Sequence, residues 1–317
     1  LKAWRQAGQR GGNAKSTRNF NGTAMACITC LSDIKAHGTS ARMKQAAPPQ
    51  IFDNKRRHAL RFRAMARDVG NHFLWNILAE DLADRLSCTT RYFEKCLLIG
   101  PLTSQADMII GAKAADITCL PLADEDRLEV EQGDFDLILS AGTLDSVNDL
   151  PGALVQIRRA LRPDGLFLGA MFGAGTLASL KKAMMLADGA RAMPHIHPQV
   201  ELRSAADLLA RAGFAMQVAD KVGADVRYSD WRRLVNDLRD AGIGNCLAGP
   251  RAYLGRGYVQ QLDAAWGSLM DVEGKVSERF EFLHLSGWAP SPDQPKAAPR
   301  GSGKVSLAAL LDKSGKL

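Results

Sequence analysis

The sequence predicts an α/β fold built on a doubly wound, mostly parallel sheet, and two observations predict it. Residues 135–139 form a short apolar run, typical of a strand that is buried on both faces. A capped amphipathic segment over 150–162 then leads through a Pro-Asp-Gly turn to a second apolar run over 166–172. Strand, helix and strand in this order form the βαβ unit from which such sheets are built.

The composition is that of a globular protein with a sizeable core. The chain has 317 residues, of which 46% are hydrophobic, and a mean hydropathy of −0.14, which suits one large α/β domain or two small ones. It contains no run of about 18 uncharged apolar residues, so we expect no membrane-spanning helix. Its six cysteines show no disulfide framework, which indicates a reducing compartment.

The net charge of +7 is concentrated at the beginning of the chain. Residues 1–50 carry eight basic residues and one acid, so 33 of the 41 basic and 33 of the 34 acidic residues remain for positions 51–317. That larger part is formally neutral and shows no sustained basic face for phosphate contacts. The charge distribution therefore argues against nucleic acid as a partner.

The first fifty residues are predicted to be a disordered basic extension. They are rich in small and basic residues, have little periodicity, and contain Met43, a natural start. Upstream translation or a disordered extension is the preferred interpretation. An organelle transit peptide is the alternative, since the segment is poor in acids and contains arginine.

Two helices and a strand are expected next. The segment 51–68 carries seven basic side chains, counting its histidine, and 71–87 places apolar residues on one helical side. The basic segment could be a solvated helix face. The apolar run 96–100 is interpreted as the first parallel strand and ends at Gly100, on the carboxyl edge where doubly wound sheets bind ligands.

The chain after the βαβ unit is predicted to complete the sheet. Residues 214–222 form a further strand, and 279–288 form a closing strand. Between them, 228–275 is a mostly helical insertion that would act as a lid. The folded domain is thus expected over 51–290, followed by a Pro/Gly/Ser-rich tail over 291–317.

The stretch FDLILSAGTLDSVNDLPGALVQIRRALRPDGLFLGAMFG resembles the fourth and fifth strands of class I S-adenosylmethionine (SAM)-dependent methyltransferases. Further similar segments are IFDNKRRHALR, PHIHP, LLARAGF, GIGNC and LSGWAPSPDQPKAAPRGSGKVSL, so the resemblance extends from about Ile51 to Leu310. It is strongest to the branch with the mitochondrial complex I assembly methyltransferases, and more distant to the biotin-pathway malonyl-carrier O-methyltransferases. The resemblance implies a Rossmann-like class I methyltransferase fold whose basic leading helix closes over cofactor and substrate, and whose closing strand is antiparallel.

The resemblance also implies a SAM site at the carboxyl edge. Gly100 matches a glycine of the family's DLGCGxG-type loop, but Pro101-Leu102 follows here in place of the next loop residues. Asp116 is the candidate ribose-binding carboxylate at the end of the second strand, and Asp124 matches the acid near the adenine. Either acid could instead be solvated. Only seven residues separate them, too few for a crossover helix, so a shortened sheet edge is expected.

The remaining candidates lie in the loop after the fourth strand and near the insertion. Ser140 and Asp145 match the family's methyl-donor end, where its SLSLHWVNDLP becomes SAGTLDSVNDLP; Asp145 could also cap the next helix. His195, in PHIHP where the family has PHISP, is a candidate for substrate-side contact or loop packing. Asn245 of GIGNC is the second substrate-side candidate. The His-x-His has no third ligand of fixed spacing, so no metal is expected.

The sequence therefore predicts SAM-dependent methyl transfer to a small-molecule or protein acceptor. No catalytic residue is assigned, because displacement at a sulfonium needs proximity and desolvation more than an acid or base. Arginine hydroxylation of a respiratory complex I subunit, implied by the resembled branch, is the nearest alternative. A non-catalytic assembly protein that has lost SAM is another. The cytoplasm is the expected location, or the mitochondrial matrix if residues 1–50 are a transit peptide.

Deleting residues 1–42 should leave the melting temperature unchanged, because this segment holds the excess charge and little apolar periodicity. Thermal unfolding followed by circular dichroism of the full and shortened chains measures this. A drop of several degrees in the shortened chain would show that the segment packs on the domain.

Overall fold

The computed structural model describes residues 50–67, 72–100, 110–190, 193–250 and 254–295, together with residue 302. The predicted extension over 1–49, the loop 101–109 with Pro101, and most of the predicted tail lie outside the described residues.

The described helices and strands alternate along the chain. The helices are α1 (Asn54–Met65), α2 (Phe73–Ser87), α3 (Leu150–Ala160), α4 (Ala178–Asp188), α5 (Leu202–Ala212), α6 (Trp231–Asp240) and α7 (Arg256–Ser268). The strands are β1 (Phe93–Ile99), β2 (Ala114–Leu120), β3 (Phe135–Ala141), β4 (Leu161–Phe172), β5 (Ala215–Tyr228) and β6 (Val276–Trp288).

The six described strands form one sheet in the order β2-β1-β3-β4-β6-β5. Strands β1 to β4 run parallel, and β6 lies antiparallel between β4 and β5. This order reverses beside β1, as in a doubly wound sheet, so the predicted fold class is confirmed. The predicted closing strand is β6, and the predicted helical insertion consists of α6 and α7. In the described ranges β2 is the only strand on the outer side of β1, and this corresponds to the predicted shortened edge of the sheet.

Helices cover both faces of the sheet. Strand β3 is buried along its whole length, as expected for a strand whose central residues 137–139 are all apolar. One face carries α2, α4 and α7, and the other carries α3 and α5. The predicted apolar stripe of α3 supplies Leu150, Leu154 and Ile157, all buried.

The chain before α1 is fastened at two places, which positions that helix. The Asn148 side-chain oxygen accepts hydrogen bonds from the backbone N–H groups of Ile51 and Phe52, both at 2.8 Å. The Asp53 N–H donates to the Cys246 carbonyl at 2.8 Å, and the Asp53 carboxylate caps α1. Helix α1 is thus held between the start of α3 and the GIGNC segment.

Asp116 does not lie at the end of a strand, and its predicted placement is wrong. It is the third residue of β2 and pairs with Lys95, near the amino-terminal ends of the parallel strands. The four residues that follow it in β2 span roughly 13 Å. Residues 117–120, between Asp116 and Asp124, continue β2. Only Asp124 therefore lies beyond the carboxyl end of that strand.

Gly142→Ala should destabilise the protein by about 2–4 kcal/mol. Gly142 has φ +63°, which costs an L side chain about 1–2 kcal/mol, and an added Cβ would lie 2.3 Å from Trp75 Cζ3, with a similar overpacking cost. Urea unfolding measures the loss. Gly257→Ala in α7 is the matched control, because nothing lies within 4 Å of its added Cβ; equal stability of the two variants would contradict the prediction.

Candidate functional site

Three of the residues predicted for the cofactor lie at the carboxyl ends of β1 and β3. Gly100 follows β1 with φ +117°, and an added Cβ there would lie 2.5 Å from the Ala141 carbonyl oxygen, so the close approach of β3 requires glycine. Ser140 is fully buried, with its hydroxyl 3.1 Å from that of Thr143. Asp145 lies in a short 3₁₀ turn after β3 and is 8% exposed.

Asp124 lies at this edge too, but it is bound by the protein's own arginine. Arg57 of α1 is 2% exposed, and its Nη2 lies 3.0 Å from Asp124 Oδ1 and 3.3 Å from Glu125 Oε2. Its Nη1 donates to the Ser146 carbonyl at 2.8 Å. The guanidinium therefore joins the turn after β2 to the turn after β3.

Arg61, one helical turn later, repeats this arrangement. Its Nη1 lies 2.9 Å from Glu125 Oε1, and its Nη2 donates to the Thr143 carbonyl at 2.9 Å. The Glu125 side chain is 1% exposed, so its charge is compensated inside the protein by two guanidinium groups. Helix α1 consequently lies across the ligand edge of the sheet.

A small polar cavity of about 20 Å³ remains under α1. Arg57, Trp75, Asp145 and His197 are among its lining residues. Arg57 Nε, Trp75 Nε1 and both ring nitrogens of His197 are buried without a hydrogen-bond partner. A space of this size holds one water or a small polar group, and these donors can bind it.

His197 was not among the residues that the sequence predicted. Its Nε2 lies 3.6 Å from Asp145 Oδ2, and both side chains are about 5% exposed. The sequence contains a signal that could have found the pair: Asp145 stands where the resembled family has His, and His197 where it has Ser.

A second cavity, of about 860 Å³, lies on the opposite side of α1, within the range of ligand pockets. It is open to solvent on one side and is lined by residues of α1, α4, α6, the 194–199 segment and the 243–250 segment. The two cavities share four lining residues: Leu60, His197, Ile243 and Gly244. One layer of side chains therefore separates them.

The two predicted substrate-side residues meet on the wall of the large cavity. His195 Nε2 lies 2.8 Å from Asp188 Oδ1 and 3.1 Å from the Tyr258 hydroxyl. The Asn245 amide donates to the carbonyls of His195, at 2.7 Å, and Pro194, at 3.0 Å. Burial and nearby Asp188 raise the pKa of Tyr258 to about 12, so its hydroxyl stays protonated. These bonds fix the shape of the wall.

The structure thus divides the predicted residues into three groups. Gly100, Asp124, Ser140 and Asp145 lie at the sheet edge, His195 and Asn245 at the large cavity, and Asp116 at neither. Within the described ranges, no group of three or more His, Cys, Asp or Glu could hold a metal ion. No helix among the described residues is both long and apolar enough to span a bilayer.

The strand order, with one antiparallel strand inserted next to the last, defines a class I methyltransferase fold. Residues 103–218 match a family described as a methyltransferase domain. A solved structure of Haemonchus contortus phosphoethanolamine N-methyltransferase 2, in complex with S-adenosyl-L-methionine, shows 14% identity and a TM-score of 0.40. That match covers 68% of this chain and 53% of the other. Because this sequence identity and this TM-score are low, the fold assignment rests on the strand order.

The chain is related in sequence to two groups of curated proteins. It is 38% identical over 200 residues to the mitochondrial arginine-hydroxylase NDUFAF5 of Danio rerio, with 62% of each chain covered. It is 34% identical over 171 residues to the malonyl-[acyl-carrier protein] O-methyltransferase of Xylella fastidiosa, which covers 54% of this chain and 57% of the relative. The chain therefore spans about three-fifths of the length of these relatives.

Arg57→Met should lower the free energy of unfolding by about 3–5 kcal/mol, because it leaves the buried Glu125 without one of its compensating charges. Urea unfolding measures the change. Arg127→Met is the matched control: the ion pair of Arg127 with Glu129 is 83% and 70% exposed, so its loss should change stability by no more than about 0.5 kcal/mol. Similar stabilities of the two variants would contradict the prediction.

Proposed function

We propose that the chain is a SAM-dependent methyltransferase whose methyl acceptor binds in the 860 Å³ cavity. One observation carries this proposal: the polar cavity at the ligand edge and the large cavity share the wall formed by Leu60, His197, Ile243 and Gly244. Group transfer needs donor and acceptor held a few ångströms apart and away from water. Two cavities with a common wall supply that arrangement.

The described residues fit one end of the cofactor. The unpartnered donors of Arg57, Trp75 and His197 surround a space suited to a charged or polar group. A whole nucleoside is larger than the 20 Å³ that remains there, and Asp124 already pairs with Arg57. Binding of SAM thus needs Asp124 to exchange Arg57 for the ligand, or contacts from residues outside the described ranges.

The position of His197 supports a role in removing the proton of the acceptor. SAM supplies an electrophilic methyl group when bound, and a nucleophilic N–H or O–H acceptor must lose a proton as it is methylated. His197 lines both cavities, and Asp145, 3.6 Å away, can stabilise its protonated form. The proposed roles are thus proton acceptor for His197 and charge partner for Asp145.

Arginine hydroxylation is the second candidate, supported by the 38% identity to a protein with that name. In that case a subunit of a respiratory complex would be the partner and the mitochondrial matrix the location, whereas the methyltransferase proposal is equally compatible with the cytoplasm. The described lining of the large cavity contains four arginines and no acid. This charge repels an arginine side chain, so we place methyl transfer first.

SAM should bind about ten- to a thousandfold more weakly than to a relative whose glycine loop is intact. Pro101 has no N–H, Leu102 adds bulk, and two or three lost hydrogen bonds cost about 0.5–1.5 kcal/mol each. Isothermal titration calorimetry of the full chain, alongside a methyltransferase that carries the DLGCGxG-type loop, measures both affinities. Absence of binding at millimolar SAM would exclude the proposal and favour a non-catalytic assembly protein.

Asp124→Asn should weaken SAM binding further, because Asp124 is the acid that the fold places at the ligand edge. Asp116→Asn is the matched control and should leave affinity unchanged, since Asp116 lies near the opposite end of β2. Equal effects of the two substitutions would mean that the ligand lies elsewhere.

A further inference from the structure

We infer that the 860 Å³ cavity binds a small anionic amphiphile, a molecule with an apolar body and a carboxylate or similar anionic head. Two observations carry the inference: the apolar interior of the cavity and the unbalanced positive charge around it. The identification of this ligand as the methyl acceptor rests on the proposed function; its binding does not.

The interior of the cavity is apolar. Leu177, Leu180 and Leu238 are 4%, 2% and 8% exposed and belong to the main core. Met184, Ile196 and Ile243 pack against that core and continue the surface. Burying a hydrocarbon here gains roughly 0.8 kcal/mol for each CH₂. The surface therefore fits an alkyl or aromatic body.

Four arginines line the same cavity: Arg56 and Arg63 from α1, Arg67 from the turn that follows α1, and Arg239 from α6. Positions 56, 60 and 63 recur at helical spacing, so one face of α1 supplies two guanidinium groups and Leu60, and Arg67 adds a third just beyond the helix. The opposite face carries Arg57 and Arg61, which form ion pairs with Asp124 and Glu125. The two arginine faces of α1 thus serve different partners.

The positive charge of the large cavity is only partly balanced. Arg67 pairs with Asp240 at 2.7 Å, and the nearest carboxylate to Arg56 is Asp53 at 3.8 Å. Within the described residues, Arg63 and Arg239 have no carboxylate within 4 Å; they bind the Ala59 carbonyl and the Asn236 side chain. Both are exposed at the rim. An anionic head can therefore bind there without displacing a protein carboxylate.

The arrangement orients the ligand. An apolar body occupies the leucine-lined interior, while the head remains at the rim, where Arg63 and Arg239 are hydrated. A neutral amphiphile gains the first contact alone, and a cationic one meets four like charges. Charge selectivity, rather than apolar affinity, therefore distinguishes this cavity from an ordinary hydrophobic pocket.

Calorimetry with three probes of equal chain length tests the inference: octanoate, 1-octanol and octylammonium, each titrated into the full chain without SAM. We expect octanoate to bind with a stoichiometry near one, and at least tenfold more tightly than octylammonium. Hexanoate should bind about tenfold more weakly than octanoate, because two methylenes are lost. Added salt should weaken octanoate binding. Octylammonium or 1-octanol binding as tightly as octanoate would overturn the inference.

Variants locate the head group. Arg63→Gln and Arg239→Gln should each weaken octanoate binding about two- to fivefold, and together about tenfold, while leaving 1-octanol binding unchanged. Lys55→Gln and Arg233→Gln remove the same charge from α1 and α6 at positions that do not line the cavity, and should have no effect. Equal losses in both pairs would refute the site. If octanoate binds as expected and SAM does not, the ligand class is supported and the proposed methyl transfer is refuted. If SAM binds and octanoate does not, the ligand class is refuted and the proposed methyl transfer is unaffected.

Discussion

The buried contact of Arg57 with Glu125 determines where helix α1 lies, and both cavities depend on that position. Arg57 is 2% exposed and the Glu125 side chain 1%, and neither charge can leave water without the other. Because the partners come from α1 and from the turn after β2, their contact fixes α1 over the carboxyl edge. Leu60, on the same helix, then lines both cavities.

Helix α1 separates charge by its two faces. Arg57 and Arg61 neutralise acids beneath the helix, while Arg56, Arg63 and Arg67 line the large cavity. A basic segment of this kind can be a solvated surface, and the sequence did not decide between that interpretation and a closing helix. In the structure the helical periodicity divides these arginines: Arg57 and Arg61 pair with the acids on one side of α1, and the other side lines the large cavity.

The local features of the sequence predicted the sheet well. The short apolar run of β3 and the capped stripe of α3 are short-range patterns, and they specify a βαβ unit without reference to distant residues. The spacing between Asp116 and Asp124 correctly indicated a shortened edge. It did not reveal that β2 continues past Asp116 to Leu120, because a seven-residue interval fits either two short strands or one strand and a turn.

Long-range partners were beyond the sequence. Among the described elements, α2, β1 and β2 lie between Arg57 and Glu125, so no local pattern pairs them. Asp145 and His197 each stand where the resembled family has a different residue, but no pattern in the sequence connects the two positions. Only the folded chain shows that the two departures face each other across 3.6 Å. His195 was the candidate from the sequence, and its ring is hydrogen-bonded to Asp188 and Tyr258. The ring without a hydrogen-bond partner is that of His197.

The shortened edge leaves β2 as the outermost strand of the sheet in the described ranges. An outermost strand presents backbone N–H and C=O groups that can pair with another chain and start aggregation. Asp116 is exposed near the amino-terminal end of β2, and a charge on an outermost strand opposes edge-to-edge association. A carboxylate at this position therefore disfavours pairing of β2 with the sheet edge of a second molecule.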